Sequence, residues 1–173
     1  MPVMNSLLKL SATLGHALQA KHWQLALAES CTGGMAAQAV TAIAGSSGWF
    51  DRGFVTYSNA AKNEMLGVPS TLIDEFGAVS EPVAEAMALG ALQHSQAQLS
   101  AAVTGVAGPG GGSPHKPVGT VCFAWAYRDS GGDTTVIQTW AVETRHFGGD
   151  RTHIREQAAS HLLAGLLALA TSR

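Results

Sequence analysis

Charge is scarce in this sequence. Asp, Glu, Lys and Arg together make up 13% of its 173 residues and leave a formal net charge of −2. No basic surplus exists to hold nucleic acid or an anionic membrane, so neither is expected as a partner. Cysteine is scarce too. Cys31 and Cys122 are the two present, far apart along the chain, and they fit neither a disulfide framework nor a metal cluster. Long apolar runs are missing: the most apolar stretch, Leu162 to Ala170, falls well short of the roughly 20 residues that span a bilayer. The first residues lack the basic head and unbroken apolar core of a signal peptide. No linker, internal repeat or low-complexity tract interrupts the chain. These absences predict a soluble, reduced, cytoplasmic protein with one domain over residues 1–173.

What is abundant is apolar residues, 46% of the chain, and glycine, with twenty. The first supplies a sizeable core and the second marks many tight turns and close backbone approaches. Leu7, Leu10, Leu14 and Leu18 recur at helical spacing and predict an amphipathic N-terminal helix, whose exposed stripe could pack in a homodimer. Short apolar runs at "QLALAES", "DRGFVTYS" and "AQLSAAVTGVAG" read as strands, and "VGTVCFAWAYR" and "DTTVIQTWAVE" as a hairpin across "DSGGD". Helices are predicted between them: one opened by Gly33 and Gly34, one capped by Ser58 or Asn59, one capped by Ser80 with Pro82 inside, and a last one from about Gly149 to Ala170. Pro69 and Gly77 break the segment between the second and third of these. Strands alternating with helices, with one late hairpin over Val118–Val142, predict a three-layer α/β/α sandwich on a mixed, mostly parallel sheet of five or six strands.

Three of the strands give out into glycines or polar side chains, and ligands of open α/β sheets collect beyond the carboxyl ends of strands. The tips Glu29–Gly34, Tyr57–Lys62 and Thr104–Gly112 should therefore form one cleft. At the first, Ser30 and Cys31 are both potential nucleophiles, on a strand-to-helix turn where N–H groups around Thr32, Gly33 and Gly34 favour an anion. The plainer alternative is that Ser30 or Thr32 merely caps the next helix. A serine nucleophile needs a base, and no histidine lies in this cluster. Lys62 does, and loss of solvation could lower its pKa enough for that role, with Tyr57 holding or relaying the proton; otherwise Lys62 is a solvated surface charge. Cys31 beside a helix start would be a rival thiolate, or else a small buried hydrophobe.

The third tip, "TGVAGPGGGSPHKPVGTV", holds five glycines between Gly105 and Gly112 alone, which is costly to order. Its N–H groups could cradle an anion or a flat ligand, but it matches neither the P-loop nor the dinucleotide fingerprint. Thr104, Gly105, Gly108, Gly110 and Gly111 are its candidate binding residues, with Lys116 and His115 as further cleft candidates. Glu29 could orient Lys62, bind ribose hydroxyls or form an ordinary ion pair. Arg151 and Arg155, one turn apart, could pair with a phosphate or with Asp150 and Glu156; the structural pairing is favoured for Arg155. The seven histidines show no metal-ligand spacing.

Taken in order, "AESCTGG", "YSNAAK", "TGVAGPGGG" with "KPVGTV", and "GGDRTHIR" resemble the C-terminal domain family of the competence/damage-inducible protein CinA. That family includes bacterial nicotinamide-nucleotide amidohydrolases. The resemblance covers nearly the whole chain and implies an enzyme that hydrolyses the carboxamide of nicotinamide mononucleotide to nicotinate mononucleotide and ammonia, in pyridine nucleotide salvage. It implies no metal, no cofactor, and a serine nucleophile helped by lysine and tyrosine: Ser30, Lys62 and Tyr57 here. Substrate contacts are then expected from Glu29, Cys31, Thr32, Gly33, Gly34, the glycine loop and Arg151. A binding module on the same scaffold, or an amidase for another carboxamide, is the alternative.

Overall fold

The computed structural model describes residues 2–131 and 134–173, so Gly132 and Asp133 of the expected "DSGGD" turn lie outside the described residues. Helix α1 (Pro2–Ala20) leads into strand β1 (Leu25–Glu29), helix α2 (Met35–Thr41) and strand β2 (Phe50–Val55). Helices α3 (Asn59–Leu66), α4 (Ser70–Phe76) and α5 (Glu81–Gln93) follow, then strands β3 (Leu99–Gly105), β4 (Thr120–Asp129) and β5 (Val136–His146), and helix α6 (Arg151–Ser172). The five strands lie in the order β2-β1-β3-β4-β5. β1 pairs in parallel with β2 and β3, while β4 pairs antiparallel with both β3 and β5. Four strands therefore run one way and β4 alone runs the other, a mixed and mostly parallel sheet as the sequence predicts.

Alternation along the strands gives the two faces different textures. Leu25, Leu27, Leu99, Val103, Phe123 and Trp125 point to one face and are buried under α1, α2 and α6. Ala26, Ala28, Ala102, Ala124 and Ala126 point to the other, under α3, α4 and α5. Small residues on both sides let α5 approach that face closely. Its Gly90 packs where any Cβ would overlap the Leu66 carbonyl, and the Ser100 hydroxyl of β3 donates to the Ala88 carbonyl of α5 at 2.7 Å. Leu7, Leu14 and Leu18 of α1 are wholly buried, which makes that leucine stripe core rather than a free docking face. No helix among the described residues is long and apolar enough to cross a membrane.

Local signals explain the helix starts. Ser58 accepts from Ala61 N at 3.0 Å and Ser80 from Val83 N at 3.4 Å, so both predicted serine caps form. The segment between Pro69 and Gly77, broken at both ends as expected, closes into the two-turn helix α4. Helix α2 stops at Thr41 rather than running on to Gly45.

Candidate active site

The strand order reverses between β1 and β3: the chain leaves β1 for one neighbour through α2, then crosses back under α5 to the other. Such a reversal opens a crevice at the carboxyl ends of the two strands. The cleft there has a volume of about 320 Å³, at the small end of the roughly 300–1,000 Å³ typical of ligand sites. Ser30, Cys31, Tyr57, Asn59, Lys62, Ala78, Val79, Thr104, Arg151 and the glycine loop from Gly105 to Gly112 except Pro109 line it. All three strand tips picked out by sequence meet there. A larger hollow of about 460 Å³ lies at the opposite ends of the strands, beside Trp23 and Tyr127, and holds none of these residues.

Ser30 leaves β1 with its N–H still bonded to Val103 O of β3 at 3.0 Å, so its Cα is fixed by the sheet. Lys62 reaches in from α3. Its Nζ lies 3.0 Å from Ser30 Oγ and donates to the Thr56 carbonyl at 2.9 Å, and the residue is 1% exposed. No carboxylate forms an ion pair with it among the described residues. Burial without a counter-charge disfavours the ammonium, so the Lys62 pKa is lowered. The Thr56 hydroxyl nearby is buried without a partner among the described residues.

Glu29 does not face the cleft. It is 1% exposed and lies behind the turn that follows Ser30, where its carboxylate accepts from Thr32 Oγ1 at 2.6 Å and from the N–H groups of Gly34, Ala36 and Ala37 at 3.0, 3.2 and 2.8 Å. A carboxylate at a helix start satisfies orphan amides and the helix dipole together. The readings of Glu29 as a ribose ligand or a partner of Lys62 are thereby corrected. So are those of Thr32, Gly33 and Gly34 as cleft-lining residues. Thr32 is wholly buried, Gly33 N donates to Ser30 O, and Gly34 N belongs to Glu29. Two amides of the turn, Cys31 and Thr32, find no acceptor among the described residues.

Cys31 is 6% exposed, and burial pushes its thiol pKa up to about 12. The neutral thiol is a poor nucleophile, so the reading of Cys31 as a small buried hydrophobe fits the turn. Iodoacetamide at neutral pH should therefore leave Cys31 unmodified in the folded protein and alkylate it only after denaturation. Rapid alkylation of the native protein, followed by mass spectrometry, would contradict this assignment.

Tyr57 is 61% exposed, and its hydroxyl accepts from Arg151 Nη2 at 3.0 Å rather than meeting Lys62 or Ser30. Arg151 Nη1 donates to Gly108 O at 2.7 Å, so one guanidinium ties the β2 tip, the glycine loop and the start of α6 together. Arg155 pairs with neither Asp150 nor Glu156. Its Nε and Nη2 donate to the carbonyls of Cys31 and Thr32 at 3.1 and 3.0 Å, a contact that sequence spacing did not reveal. In the glycine loop, the N–H groups of Gly108, Gly110, Gly111 and Gly112 have no acceptor among the described residues. Thr104 lines the cleft but donates its hydroxyl to Ala78 O, and Lys116 donates to Phe76 O; His115 is exposed.

Residues 7–170 match the family described as CinA C-terminal domain. The chain belongs to that family. It is 53% identical over 151 residues to the nicotinamide-nucleotide amidohydrolase PncC of Enterobacter agglomerans, covering 87% of each chain. It is 48% identical over 168 residues to the protein of the same name in Pseudomonas putida, covering 97% of this chain and 99% of that one. A solved structure, the competence/damage inducible protein CihA from Agrobacterium tumefaciens, superposes with a TM-score of 0.84 at 42% identity over 95% of each chain. Among the described residues of this CinA domain, no group of three or more His, Cys, Asp or Glu side chains gathers as a metal site would require. Ala78 and Val79 complete the cleft wall without any sequence signal of their own; small and neutral, they stand out only once the strand tips are brought together.

Proposed function

We propose that the protein hydrolyses the carboxamide of nicotinamide mononucleotide to nicotinate mononucleotide and ammonia. The observation that carries this reading is the buried Lys62 amine, lacking an ion-pair partner and 3.0 Å from Ser30 Oγ at the floor of the cleft. The relatives named nicotinamide-nucleotide amidohydrolase supply the substrate class.

In this mechanism neutral Lys62 takes the Ser30 hydroxyl proton as Oγ attacks the carboxamide carbon. The backbone amide of Cys31, which lines the cleft beside Ser30, receives the tetrahedral oxyanion. Collapse breaks the C–N bond, and the Lys62 ammonium returns the proton to the departing amine, which leaves as ammonia. Water, deprotonated by Lys62, then cleaves the Ser30 ester, releasing the carboxylate and restoring the hydroxyl. Arg151 and the amides of Gly108, Gly110, Gly111 and Gly112 hold the 5′-phosphate, and Tyr57 fixes the guanidinium that does so. A purely binding module has no use for a buried amine against a serine hydroxyl.

Remote binding of the phosphate orients the carboxamide against Ser30, so truncated substrates lose turnover as well as affinity. Ammonia release should be measured side by side from nicotinamide mononucleotide, nicotinamide riboside and nicotinamide. The riboside should fall by about 100-fold or more in kcat/KM, the range of one or two charge-assisted bonds, and free nicotinamide further. Equal rates on all three would remove the phosphate site. Release from none would leave the binding module.

A further inference from the structure

We propose that Asn59 reads the leaving amide of the substrate, its Oδ1 accepting a carboxamide N–H, so that the site prefers amides to esters; this rests on the amidohydrolase reading above. Asn59 is the first residue of α3, directly after the Ser58 cap, and it lines the cleft. The other lining side chains that carry oxygen or nitrogen are already engaged. Ser30 meets Lys62, Thr104 donates to Ala78 O, and Arg151 ties Tyr57 to Gly108 O. Asn59 is exposed, and its side-chain amide bonds no group among the described residues. Its acceptor and its two donors are therefore open to a ligand in the cleft.

Two features put Asn59 at the carboxamide end of the site. Asn59 and Lys62 are three residues apart on one helix, so they share a face. The Cα–Cβ bonds of a helix tilt toward its N-terminus, so the Lys62 stem runs back toward the first turn. Its contacts agree: Lys62 Nζ bonds the carbonyl of Thr56, which precedes α3, at 2.9 Å. The amine thus ends near the residue that opens the helix, with Ser30 Oγ 3.0 Å away. Arg151 and the glycine-loop amides, assigned to the phosphate above, come from α6 and the β3–β4 loop. A carboxamide nitrogen carries two N–H donors and, once its carbon is tetrahedral, a lone pair. The Lys62 ammonium delivers its proton to that lone pair, while Asn59 Oδ1 holds one N–H and keeps the lone pair turned to Lys62. An ester presents an oxygen in this place and has nothing to donate. A site built around a substrate N–H rejects analogues that lack it.

The test compares wild type with Asn59→Leu, near-isosteric and unable to hydrogen-bond, on nicotinamide mononucleotide and on the methyl ester of nicotinate mononucleotide. In Asn59→Leu, kcat/KM for the amide should fall about 10- to 100-fold, the cost of leaving a donor unmatched, while the ester stays within about threefold. Phosphonylation of Ser30 by a fluorophosphonate, which carries no N–H, should keep the wild-type rate. The melting temperature should stay within about 2 °C, because the position is exposed. Asn59→Asp gives a second readout. A carboxylate beside Lys62 favours the ammonium, so the pH midpoint of kcat should move up by about one pH unit. Cys31, which also faces the amine, is neutral in both proteins, and Glu29 stays bound behind the turn. Equal losses on amide and ester would make Asn59 a general wall residue and overturn the proposal. Wild-type amide hydrolysis in Asn59→Leu, or an unmoved pH midpoint in Asn59→Asp, would overturn it too. If Asn59→Leu does not fold, Asn59→Ala is held to the same criteria. These failures, in a wild type that releases ammonia, leave the amidohydrolase reading intact. Wild type that labels at Ser30 yet releases no ammonia from the mononucleotide overturns that reading and this proposal together.

Discussion

Ser30→Ala gives a folded protein that releases no ammonia from nicotinamide mononucleotide. The substitution deletes one oxygen and nothing that supports the fold. The Ser30 N–H keeps its bond to Val103 O, and Glu29 and Arg155 keep the turn around it. Loss of a serine nucleophile from a unit of cooperating residues costs on the order of 10⁶ in kcat where it has been dissected, so the residual rate should lie below detection. The melting temperature should stay within about 2 °C, since near-isosteric changes of this kind cost little. Cys31→Ala, assayed alongside, should retain activity, its thiol being neutral and buried. A dead Cys31→Ala beside an active Ser30→Ala would reverse the assignment.

Lys62→Met should abolish turnover while leaving the protein as stable as wild type or more so at neutral pH. Loss of the base costs about 10²–10⁴ from general-base catalysis alone, and more here because the same amine protonates the leaving group. Stability moves the other way. Burial lowers the folded-state pKa of Lys62 below its ordinary 10.5, so over that interval the unfolded chain binds more protons than the folded one. Wild-type stability therefore rises with pH from the folded-state pKa up to the unfolded value, and below that window the cost of burying the ammonium is present in full. Methionine fills the space of the lysine stem and carries no charge. Melting curves across pH should show this rise in wild type and its absence in Lys62→Met. The wild-type rate should also climb with pH to a midpoint below 10.5, as the amine loses its proton. Identical stability profiles in the two proteins would show that Lys62 is not the titrating group.

The fold was legible because its signals are local. Leucines at helical spacing, serine caps at Ser58 and Ser80, and short apolar runs ending in glycine each depend on a few neighbouring residues, and all of them stand in the structure. The meeting of the strand tips at one cleft followed from the rule for open sheets. What sequence could not supply is how competing partners divide the polar groups. Glu29 reads as a free carboxylate until three amides and a hydroxyl are seen to converge on it. Tyr57 reads as a neighbour of Lys62 because both lie at one strand tip with four residues between them, yet its hydroxyl is bonded to Arg151. Arg155 is helical and flanked by acids, so a local ion pair is the natural reading; its partners are carbonyls from the other end of the sequence.

Helix α6 has a further consequence, in the order of events during synthesis. It follows every strand of the sheet and carries Arg151 on the cleft and Arg155 on the turn beside it, while its inner face packs on α1. Contacts of such long sequence separation form late, because the loop they close must first be ordered. A nascent chain that has completed the sheet through β5 thus already holds Ser30 and Lys62, but without Arg151 or Arg155 on the turn and loop beside them. Docking of α6 is then the step that adds Arg151 and Arg155 and completes the surroundings of Ser30.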